Sequence, residues 1–432
     1  MKNMSGLRWW VIALVALATI INYIDRQSLN VLWPAIAADL YPDKTADEHK
    51  QIYAFISVVF VFSYAFGQAI FGKIFDKIGT RFGFALSITV WSIATALHAL
   101  AKGVASFAIF RAILGVAEAG NWPGAAKANA EWFPSKERAF AQGIFNSGAA
   151  IGGIISIPLI AFLSVYFGWK AIFILIGLVG LVWLIPWLYI VKAPPEGHPW
   201  ITSEERDYIT KNRSGDNQSA VVESEYDPST MQLLGHKQSW GVIIASAAID
   251  PIWWLFVFWI PIYLSEVFGM DVKQIGIYGW VPYVGAMFGA WFGGGLAQWM
   301  MTRGWSLNAT RKSVISLGCL IMLPSLLLMS DPGSPFNAVM LMAVILFGFQ
   351  TAIGSVQTLP SDLFGGKPVG TLAGIAGMSA KLGAAALTSL VPWLTAGGNY
   401  APAFVIGAAL AITAMVSILV LCPKVERLQG SH

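Results

Sequence analysis

Twelve stretches of mostly apolar residues alternate with polar segments along the chain. Each holds about 20 residues or more, the length that an α-helix needs to cross the hydrocarbon core of a bilayer. The pattern therefore predicts an all-α membrane protein with twelve transmembrane helices. The predicted helices cover residues 9–36, 50–74, 82–101, 104–130, 138–166, 169–191, 239–267, 273–301, 312–330, 335–361, 369–396 and 400–422.

One polar segment is much longer than the others and divides the predicted helices into six and six. It contains two adjacent prolines, an acidic pair and a Ser/Asp/Asn-rich run. This composition is typical of a loop, and one short amphipathic helix is expected after Thr202. We expect residues 1–191 to form an N-terminal six-helix bundle, 192–237 a cytoplasmic linker and 238–432 a C-terminal six-helix bundle.

The composition fits hydrocarbon surroundings better than water. Charged residues make up 12% of the chain, against roughly a quarter in soluble domains, and hydrophobic residues make up 56%. The two cysteines lie in apolar stretches and are expected to be small core residues without a disulfide. A cleaved signal peptide is not expected, because the first apolar run contains Asp25 and Arg26 and lacks a small-residue cleavage site.

Lysine and arginine are distributed unevenly between the two sides of the predicted membrane. One side comprises both termini and the loops after the even-numbered helices, and it holds 19 of the 27 Lys and Arg residues. The opposite side holds 5, and 3 lie within apolar segments. The positive-inside rule therefore predicts that both termini are cytoplasmic. The net positive charge of the chain comes from these Lys and Arg residues of the predicted cytoplasmic side, so it does not indicate a nucleic-acid partner.

Six charged residues lie inside the apolar segments, where one charge costs roughly 2.5–3.5 kcal/mol on insertion scales. Without compensation their sum, on the order of 15 kcal/mol, would exceed the net stability of most folds. They must therefore contact each other, a substrate or water. These residues are Asp25, Arg26, Arg111, Glu118, Asp250 and Lys381.

Helical spacing limits how the charges of the first half can pair. Arg111 and Glu118 are seven residues apart and share one helix face, whereas the adjacent Asp25 and Arg26 point about 100° apart. We expect Asp25 to pair with Arg111, which would leave Arg26 to bind an anionic substrate through its two-pronged guanidinium. Asp25 or Glu118 would carry a proton, because a buried carboxyl can exchange one near neutral pH. The alternative is a static ion network that fixes helix packing.

Polar and aromatic residues in the same segments are candidates for contacts with a sugar-like ligand. Each of them, taken singly, also has an explanation without a ligand: helix packing, a position at the membrane interface or a hydrogen bond between helices. The glycine-rich stretches 148–153 and 289–295 are expected to allow close helix packing. The candidate ligand contacts are Tyr23, Tyr64, Asn146, Trp253 and Trp254.

Signals for other classes of protein are missing from the sequence. The five histidines show no metal-ligand spacing, and no phosphate-binding loop of the Walker type occurs. No Ser/His/Asp arrangement stands out either. We therefore expect a transporter and not an enzyme, without a metal or cofactor, whose partners are the lipid bilayer and a small anionic substrate.

Four long motifs occur in the first half: Asn22-Tyr23-x-Asp25-Arg26, Arg111-xxx-Gly115-xx-Glu118-Ala119-xx-Trp122-Pro123, Glu131-Trp132-Phe133-Pro134-xx-Glu137-Arg138 and Asn146-Ser147-Gly148. They resemble those of the anion:cation symporter family of the major facilitator superfamily, and the resemblance covers nearly the whole chain. Two shorter motifs of the second half are most similar to the hexuronate transporters of that family: Asp250-Pro251-Ile-Trp253-Trp254 and Leu359-Pro360-Ser361-Asp362.

This resemblance implies a major facilitator fold and transport of organic anions with protons, or sometimes sodium, by alternating access. Neutralisation of the site by a proton and a bound anion would let the two bundles rock about it. The matching motif positions imply the following roles: proton coupling for Asp25 and Glu118, substrate contact for Arg26, Tyr23 and Tyr64, and electrostatic support for Arg111.

The loop after the second predicted helix has a counterpart after the eighth, residues 295–304, and each combines a glycine-lined helix end with a tight basic turn. Two such related halves are the usual plan of secondary transporters. Gln298 replaces the acidic residue that is usual in the second-half loop of the family, which would weaken a gate there. The cytoplasmic gate of the first half is expected at Gly72, Asp76, Gly79 and Arg81.

Lys381 departs from the hexuronate pattern and leaves two interpretations open. It could bind a second substrate carboxylate, which would favour a diacid, or pair with Asp250 and hold the two halves together. We expect a monomeric uptake symporter of a bacterial inner membrane that moves a sugar-acid anion, a hexuronate such as galacturonate or glucuronate, with protons. The alternatives are another organic anion (an aldonate, aldarate or aromatic carboxylate), an exchanger or a uniporter.

Overall fold

The computed structural model describes residues 4–213, 228–364 and 367–428, and these ranges are almost entirely helical. A helix bonds every backbone group internally, as a segment in hydrocarbon requires. The helices are α1 (Leu7–Leu40), α2 (Ala46–Leu97), α3 (Val104–Glu118), α4 (Asn121–Trp132), α5 (Ser135–Tyr166), α6 (Trp169–Ile190), α7 (Ser203–Arg213), α8 (Thr230–Gly235), α9 (Lys237–Phe268), α10 (Val272–Tyr278), α11 (Val281–Thr302), α12 (Leu307–Leu328), α13 (Pro335–Leu363), α14 (Lys367–Leu394) and α15 (Ala401–Leu421).

Ten helical segments of the described residues are long and apolar enough to cross a membrane. One of them, Ala46–Leu100, contains two of the predicted spans. The α11 helix is outside the ten because its many glycine and aromatic residues lower its mean hydropathy. Each of the twelve predicted spans nevertheless coincides with helical structure, and the prediction of an all-α, multi-pass membrane protein is confirmed.

A single glycine separates the two spans within α2. The backbone at Gly79 has φ 76° and ψ 171°, a region that other residues enter only with strain. A Cβ atom added at this position would meet nothing within 4 Å, so the requirement for glycine is conformational and does not come from crowding. The chain can therefore end one span and begin the next without an intervening loop.

The contacts divide the chain into two compact units. The first unit comprises Met1–Asp43 and Phe55–Val221, and the second comprises Lys44–Ala54 and Val222–His432. The boundary near residue 221 falls within the predicted linker. In the part of that linker which the structure describes, the expected amphipathic helix is present as α7.

The first residues of α2 pack in the second unit. Lys50 is 2% exposed, and its ammonium group donates a hydrogen bond of 2.7 Å to the Thr395 carbonyl oxygen. The same ammonium lies 2.9 Å from a Glu266 carboxylate oxygen. Nearby, the Tyr53 hydroxyl donates a hydrogen bond of 2.7 Å to the Phe258 carbonyl oxygen. These contacts join the start of α2 to the other helices of the second unit.

Glycines set the close packing of α1 against α5 in the first unit. A Cβ atom added at Gly148 would lie 2.7 Å from the Ala16 carbonyl oxygen, and one added at Gly152 would lie 2.7 Å from the Tyr23 Cβ atom. Both distances are too short for a larger residue, so the expectation of close packing at residues 148–153 is confirmed at these two positions.

The second unit contains a longer contact of the same kind, which we call the glycine seam. Three glycines of α11, spaced four residues apart, face the carbonyl groups of three α13 residues with the same spacing, so that an added Cβ atom would collide at each step. Gly294 and Gly295 instead face open space, so the stretch 289–295 is only partly a packing surface. The seam consists of Gly285, Gly289 and Gly293 against Ala343, Phe347 and Thr351.

The α7 helix is attached to the start of α1. The Glu205 carboxylate accepts hydrogen bonds from the backbone N–H of Leu7 at 3.1 Å and from the Arg8 guanidinium at 2.7 Å. Arg8 also lies 2.9 Å from Glu137 at the start of α5. A carboxylate at a helix N-terminus is favourable because it meets unpaired N–H groups and the positive end of the helix dipole. This part of the linker is therefore fixed to the first unit.

Candidate substrate and proton site

Two charged side chains of the first unit form an ion pair between α1 and α3. The Arg26 Nη2 atom lies 3.0 Å from the Glu118 Oε2 atom, and the two side chains are 2% and 0% exposed. Arg26 also donates a hydrogen bond of 3.1 Å to the Asn22 side chain, one helical turn earlier. Since both charges have lost their hydration, each depends on its partner for compensation.

Aromatic rings enclose the Arg26 guanidinium. Its Cζ atom lies 4.9 Å from the ring centre of Tyr23, 5.3 Å from that of Tyr64 and 5.4 Å from that of Phe60. These distances are within the range of cation–π attraction. The structure thus brings the predicted ligand residues Tyr23 and Tyr64 together at Arg26, and both are buried.

One part of the predicted pairing is wrong. Arg26 was predicted to be free for a substrate, but it pairs with Glu118. Asp25 is fully buried beside the Thr95 hydroxyl and within electrostatic range of Arg111. Among the described residues no salt bridge joins Asp25 to Arg111, and neither Asp25 oxygen forms a well-oriented hydrogen bond. Adjacent residues point apart on a helix, so Asp25 and Arg26 have different partners: Asp25 lies beside Thr95, and Arg26 pairs with Glu118.

Arg111 belongs to the same buried group without contacting Glu118 directly. Its side chain is 2% exposed. It lies within electrostatic range of Glu118, seven residues later on the same face of α3. Its Cζ atom lies 5.5 Å from the ring centre of Phe60, the ring that also contacts Arg26. The first unit therefore buries two acidic side chains, Asp25 and Glu118, and two cationic ones, Arg26 and Arg111, and both guanidinium groups lie near the ring of Phe60.

Asn146 is not brought to this group by any contact in the described structure. It lies on α5 with an exposed side chain, and its carbonyl oxygen accepts a hydrogen bond of 3.1 Å from Gln142. An exposed amide on a spanning helix is consistent with a water-filled space beside α5. Its role as a ligand contact stays a prediction.

The second unit has its own ion pair, between α9 and α14. The Lys381 ammonium lies 2.7 Å from the Asp250 Oδ2 atom, and the two side chains are 15% and 14% exposed. The Trp254 indole N–H donates a hydrogen bond of 2.9 Å to the same oxygen. Of the two interpretations of Lys381, the structure shows the pairing with Asp250. Both residues belong to the second unit, however, so the pair does not hold the two halves together.

Trp253 points away from this pair into an aromatic cluster. Its ring is stacked on Phe349 of α13 at 5.4 Å between centroids and meets Tyr283 of α11 edge-on at 6.1 Å. It is 6% exposed. Adjacent residues on α9 therefore have different surroundings, with Trp254 beside the charges and Trp253 packed among rings.

The predicted gate residues lie at separate points of the first unit. The Asp76 side chain is 81% exposed and lies 3.3 Å from a lysine ammonium of α4. Arg81 donates a hydrogen bond of 2.6 Å to the Lys192 carbonyl oxygen just after α6, which is a favourable place for a cation at a helix C-terminus. Gly72 and Gly79 both border open space. The gate function itself stays a prediction.

Three residues of the buried group were missed by the sequence analysis. Asn22 precedes Arg26 by four residues, and this spacing alone places the two side chains on one helix face, so their contact could have been predicted. Phe60 and Thr95 come from the two spans of α2. A sequence pattern does not show which face of α2 turns toward α1 and α3, so nothing pointed to them.

The described arrangement is that of a secondary transporter. Each unit carries a charge pair within its long apolar segments, where such groups are tolerated when they serve a substrate or ion path. Sites at the midplane and a chain built from two helical units are features of this class. Among the described residues no group of three or more potential ligands could hold a metal ion.

Comparisons with known proteins agree with this class. The family model of the Major Facilitator Superfamily matches residues 15–388, and the chain belongs to this superfamily. It is similar to the hexuronate transporter of Escherichia coli (strain K12), at 32% identity over 100% of this chain and 98% of that protein. It is also similar to the galacturonate transporter of Dickeya chrysanthemi, at 31% identity over 75% of this chain and 91% of that protein.

The fold is shared with a solved sugar symporter. The structure of a D-xylose-proton symporter superposes with a TM-score of 0.71 at 14% identity, covering 96% of this chain and 98% of that chain. At this identity the likeness concerns the fold alone. The family model and the full-length relative show that the protein is a multi-pass membrane transporter and not an enzyme, as predicted.

Proposed function

We propose that the protein is a proton-coupled symporter that takes up a sugar-acid anion, a hexuronate such as galacturonate or glucuronate. The observation that carries the proposal is the fully buried Arg26–Glu118 pair. A guanidinium held in an aromatic enclosure can exchange one carboxylate for another, because both offer it the same charged oxygen acceptors. The resident carboxylate Glu118 and the carboxylate of a sugar acid are thus competitors for one cation.

This competition supplies the coupling between proton and substrate. A proton that binds Glu118 removes its negative charge and weakens its hold on Arg26. The substrate carboxylate then takes its place, and the buried group has the same net charge as before. Asp25, a buried carboxyl beside Arg111, is the second candidate for the proton. Neither ligand alone would leave the charges balanced, and an unbalanced buried charge is costly.

The substrate class is supported by the relatives and by the surroundings of Arg26. The two relatives reported above are named for hexuronate and galacturonate. Tyr23 and Tyr64 contribute ring faces beside the guanidinium, which suit the C–H face of a sugar ring. The excess of Lys and Arg in the predicted cytoplasmic loops supports an inner-membrane protein with both termini inside the cell. Sodium is the alternative coupling ion, and a monomer the expected working form.

The test is uptake of labelled galacturonate and glucuronate into proteoliposomes, with and without an inward proton gradient. We expect accumulation against a concentration gradient in the wild-type protein. Glu118→Gln should abolish gradient-driven accumulation, since it removes the proton site but keeps the side-chain size. The matched control is Glu48→Gln, which removes a carboxylate from an exposed pair with Lys44 and should leave accumulation unchanged.

Three results would change the proposal. Uptake that ignores the proton gradient but follows a sodium gradient would replace the coupling ion. Uptake that responds to neither gradient would indicate a uniporter or an exchanger. A folded protein that moves neither hexuronate would contradict the substrate class.

A further inference from the structure

One nitrogen of the Arg26 guanidinium has two partners of different kinds. The Nη2 atom lies 3.0 Å from the Glu118 Oε2 atom and donates a hydrogen bond of 3.1 Å to the Asn22 Oδ1 atom. Glu118 is a carboxyl group, whose charge a proton removes, whereas Asn22 is an amide that stays neutral at every pH of interest. The two N–H groups of this nitrogen therefore meet one partner that can change its charge and one that cannot.

The contacts of Asn22 indicate that its side chain is there for Arg26. Asn22 is 1% exposed, and within the described part of the chain Arg26 is the side chain to which it bonds. Its amide nitrogen is buried without a partner among the described residues, which is costly for a hydrogen-bond donor. An amide that only joined helices would bond to another helix, whereas Asn22 bonds along α1, one turn from Arg26.

A second buried acid competes for the guanidinium once Glu118 is neutral. Asp25 lies within electrostatic range of Arg26, and a long side chain released by Glu118 would turn toward that carboxylate. The hydrogen bond to Asn22 opposes this movement, because it holds the same nitrogen that Glu118 releases. The further charged and titratable groups around the pair are Arg111, Tyr23 and Tyr64.

We propose that Asn22 is a positioning residue for the proton step, which keeps the Arg26 guanidinium in place while Glu118 is protonated and the substrate carboxylate takes over its N–H group. The inference rests on the proposed function, in which that carboxylate replaces Glu118. It also explains why this partner is neutral. A carboxylate at position 22 would hold Arg26 through a charge-assisted bond, as Glu118 does, so that a proton on Glu118 would no longer release the guanidinium.

The first test removes the acceptor oxygen. Asn22→Leu nearly keeps the volume of the side chain but cannot accept a hydrogen bond, and dissociation constants for galacturonate are measured by calorimetry at a series of pH values. We expect the affinity to fall about tenfold, the worth of one hydrogen bond to a charged group, while its dependence on pH remains. The matched control is Asn30→Leu, a change at another buried amide of α1, which bonds to Gln27 at 2.8 Å. The control should not change the affinity.

The second test moves the carboxylate from one partner of the nitrogen to the other. Glu118→Gln alone should make galacturonate binding nearly independent of pH, because it removes the titrating partner of Arg26. The double variant Glu118→Gln with Asn22→Asp places a titrating group at the other hydrogen bond of the same nitrogen. We expect the pH dependence to return, with affinity rising toward acid by up to about tenfold per pH unit, the limit for one coupled proton. A merely structural role of Asn22 would not restore it.

The outcomes separate this inference from the proposed function. An unchanged affinity in folded Asn22→Leu, or an equal loss in Asn30→Leu, overturns the inference while the proposed function stands. A folded double variant whose binding stays independent of pH overturns it as well, and if one of the two Asn22 variants does not fold, the other decides. A folded wild-type protein that binds no galacturonate, or binds it equally at every pH, overturns the proposed function and this inference with it.

Discussion

Each unit has an ion pair within its apolar helical segments, Arg26–Glu118 in the first and Lys381–Asp250 in the second, and the two pairs differ in their access to water. Arg26 and Glu118 in the first unit are 2% and 0% exposed, whereas Lys381 and Asp250 in the second are 15% and 14% exposed. The first pair lies among aromatic rings and further charges. The second pair lies beside the Trp254 indole.

This difference teaches how strongly each charge depends on its partner. A charge that is fully removed from water has no substitute for a lost partner, so breaking such a pair costs several kcal/mol. A charge with some remaining exposure can recover part of its hydration. The first pair is therefore suited to an exchange in which a new ligand arrives as the old one leaves. The second pair can stay formed while another polar group approaches it from its exposed side.

The largest effect is expected from removing the cation of the first pair. Arg26→Met should destabilise the first unit by about 3–5 kcal/mol, because the buried Glu118 would lose its ion-pair partner. The measurement is the unfolding free energy in detergent at neutral pH. The double variant Arg26→Met with Glu118→Gln should recover most of the loss, since no charge is then stranded. If the double variant is as unstable as the single one, packing around the guanidinium is the cause, and the comparison fails.

A smaller effect is expected from the corresponding change in the second unit. Lys381→Met should destabilise the protein by about 1.5–3 kcal/mol, the range for a lost hydrogen bond to a charged group. Asp250 keeps its bond to Trp254 and some contact with water, which limits the cost. The same unfolding measurement tests this prediction. Arg311→Met is the control, because the Arg311–Asp362 pair has nearly the same exposure as the Lys381–Asp250 pair. A loss as large as that of Arg26→Met would show that exposure does not distinguish the two pairs.

The smallest effect is expected on the pH dependence of stability, and it comes from His198, which belongs to neither ion pair. Burial lowers the pKa of His198, in the loop before α7, and the nearby cations Lys192 and Arg81 lower it further, against a hydrogen bond to the Ile190 carbonyl oxygen. The unfolded chain, with an ordinary histidine pKa of about 6.5, therefore binds protons more readily than the folded one. Stability from this group is present above pH 6.5 and is lost as the pH falls below it.

His198→Gln should therefore flatten the dependence of the melting temperature on pH between about 7 and 5. This variant sharpens the comparison of the two pairs, because acid effects that remain in it belong to other groups. A melting temperature that falls with acid as steeply in His198→Gln as in the wild type would exclude His198 as a contributor.

The sequence predicted the helices well and the partners of the charges less well. Apolar length is a local property, so all twelve spans could be placed from the chain alone, and α7 followed from its polar, acidic start. Spacing also showed that Asp25 and Arg26 point apart. Spacing could not show which neighbouring helix each side chain faces. The ion pair between Arg26 and Glu118 was therefore not predicted.

Long-range packing explains the remaining differences. The pairing of Lys381 with Asp250 requires α14 and α9 to be adjacent, and a pattern of apolar residues does not specify adjacency. The same holds for the start of α2, where Lys50 is buried in the second unit although most of the helix belongs to the first. Gly79 was recognised as part of a turn, but its left-handed backbone is visible only in the structure.

The glycine seam of the second unit determines which changes this protein can tolerate over evolution. In hydrocarbon two helices gain nothing by excluding water, so α11 and α13 are held by the close fit of their backbones. Such a fit is insensitive to the kind of hydrocarbon around it, whether lipid chains or detergent tails. It is also unforgiving, since a methyl group at Gly289 would strike the Phe347 carbonyl and separate the helices. Changes elsewhere in the unit can therefore accumulate more freely than changes at these glycines, where any added side chain meets a carbonyl group.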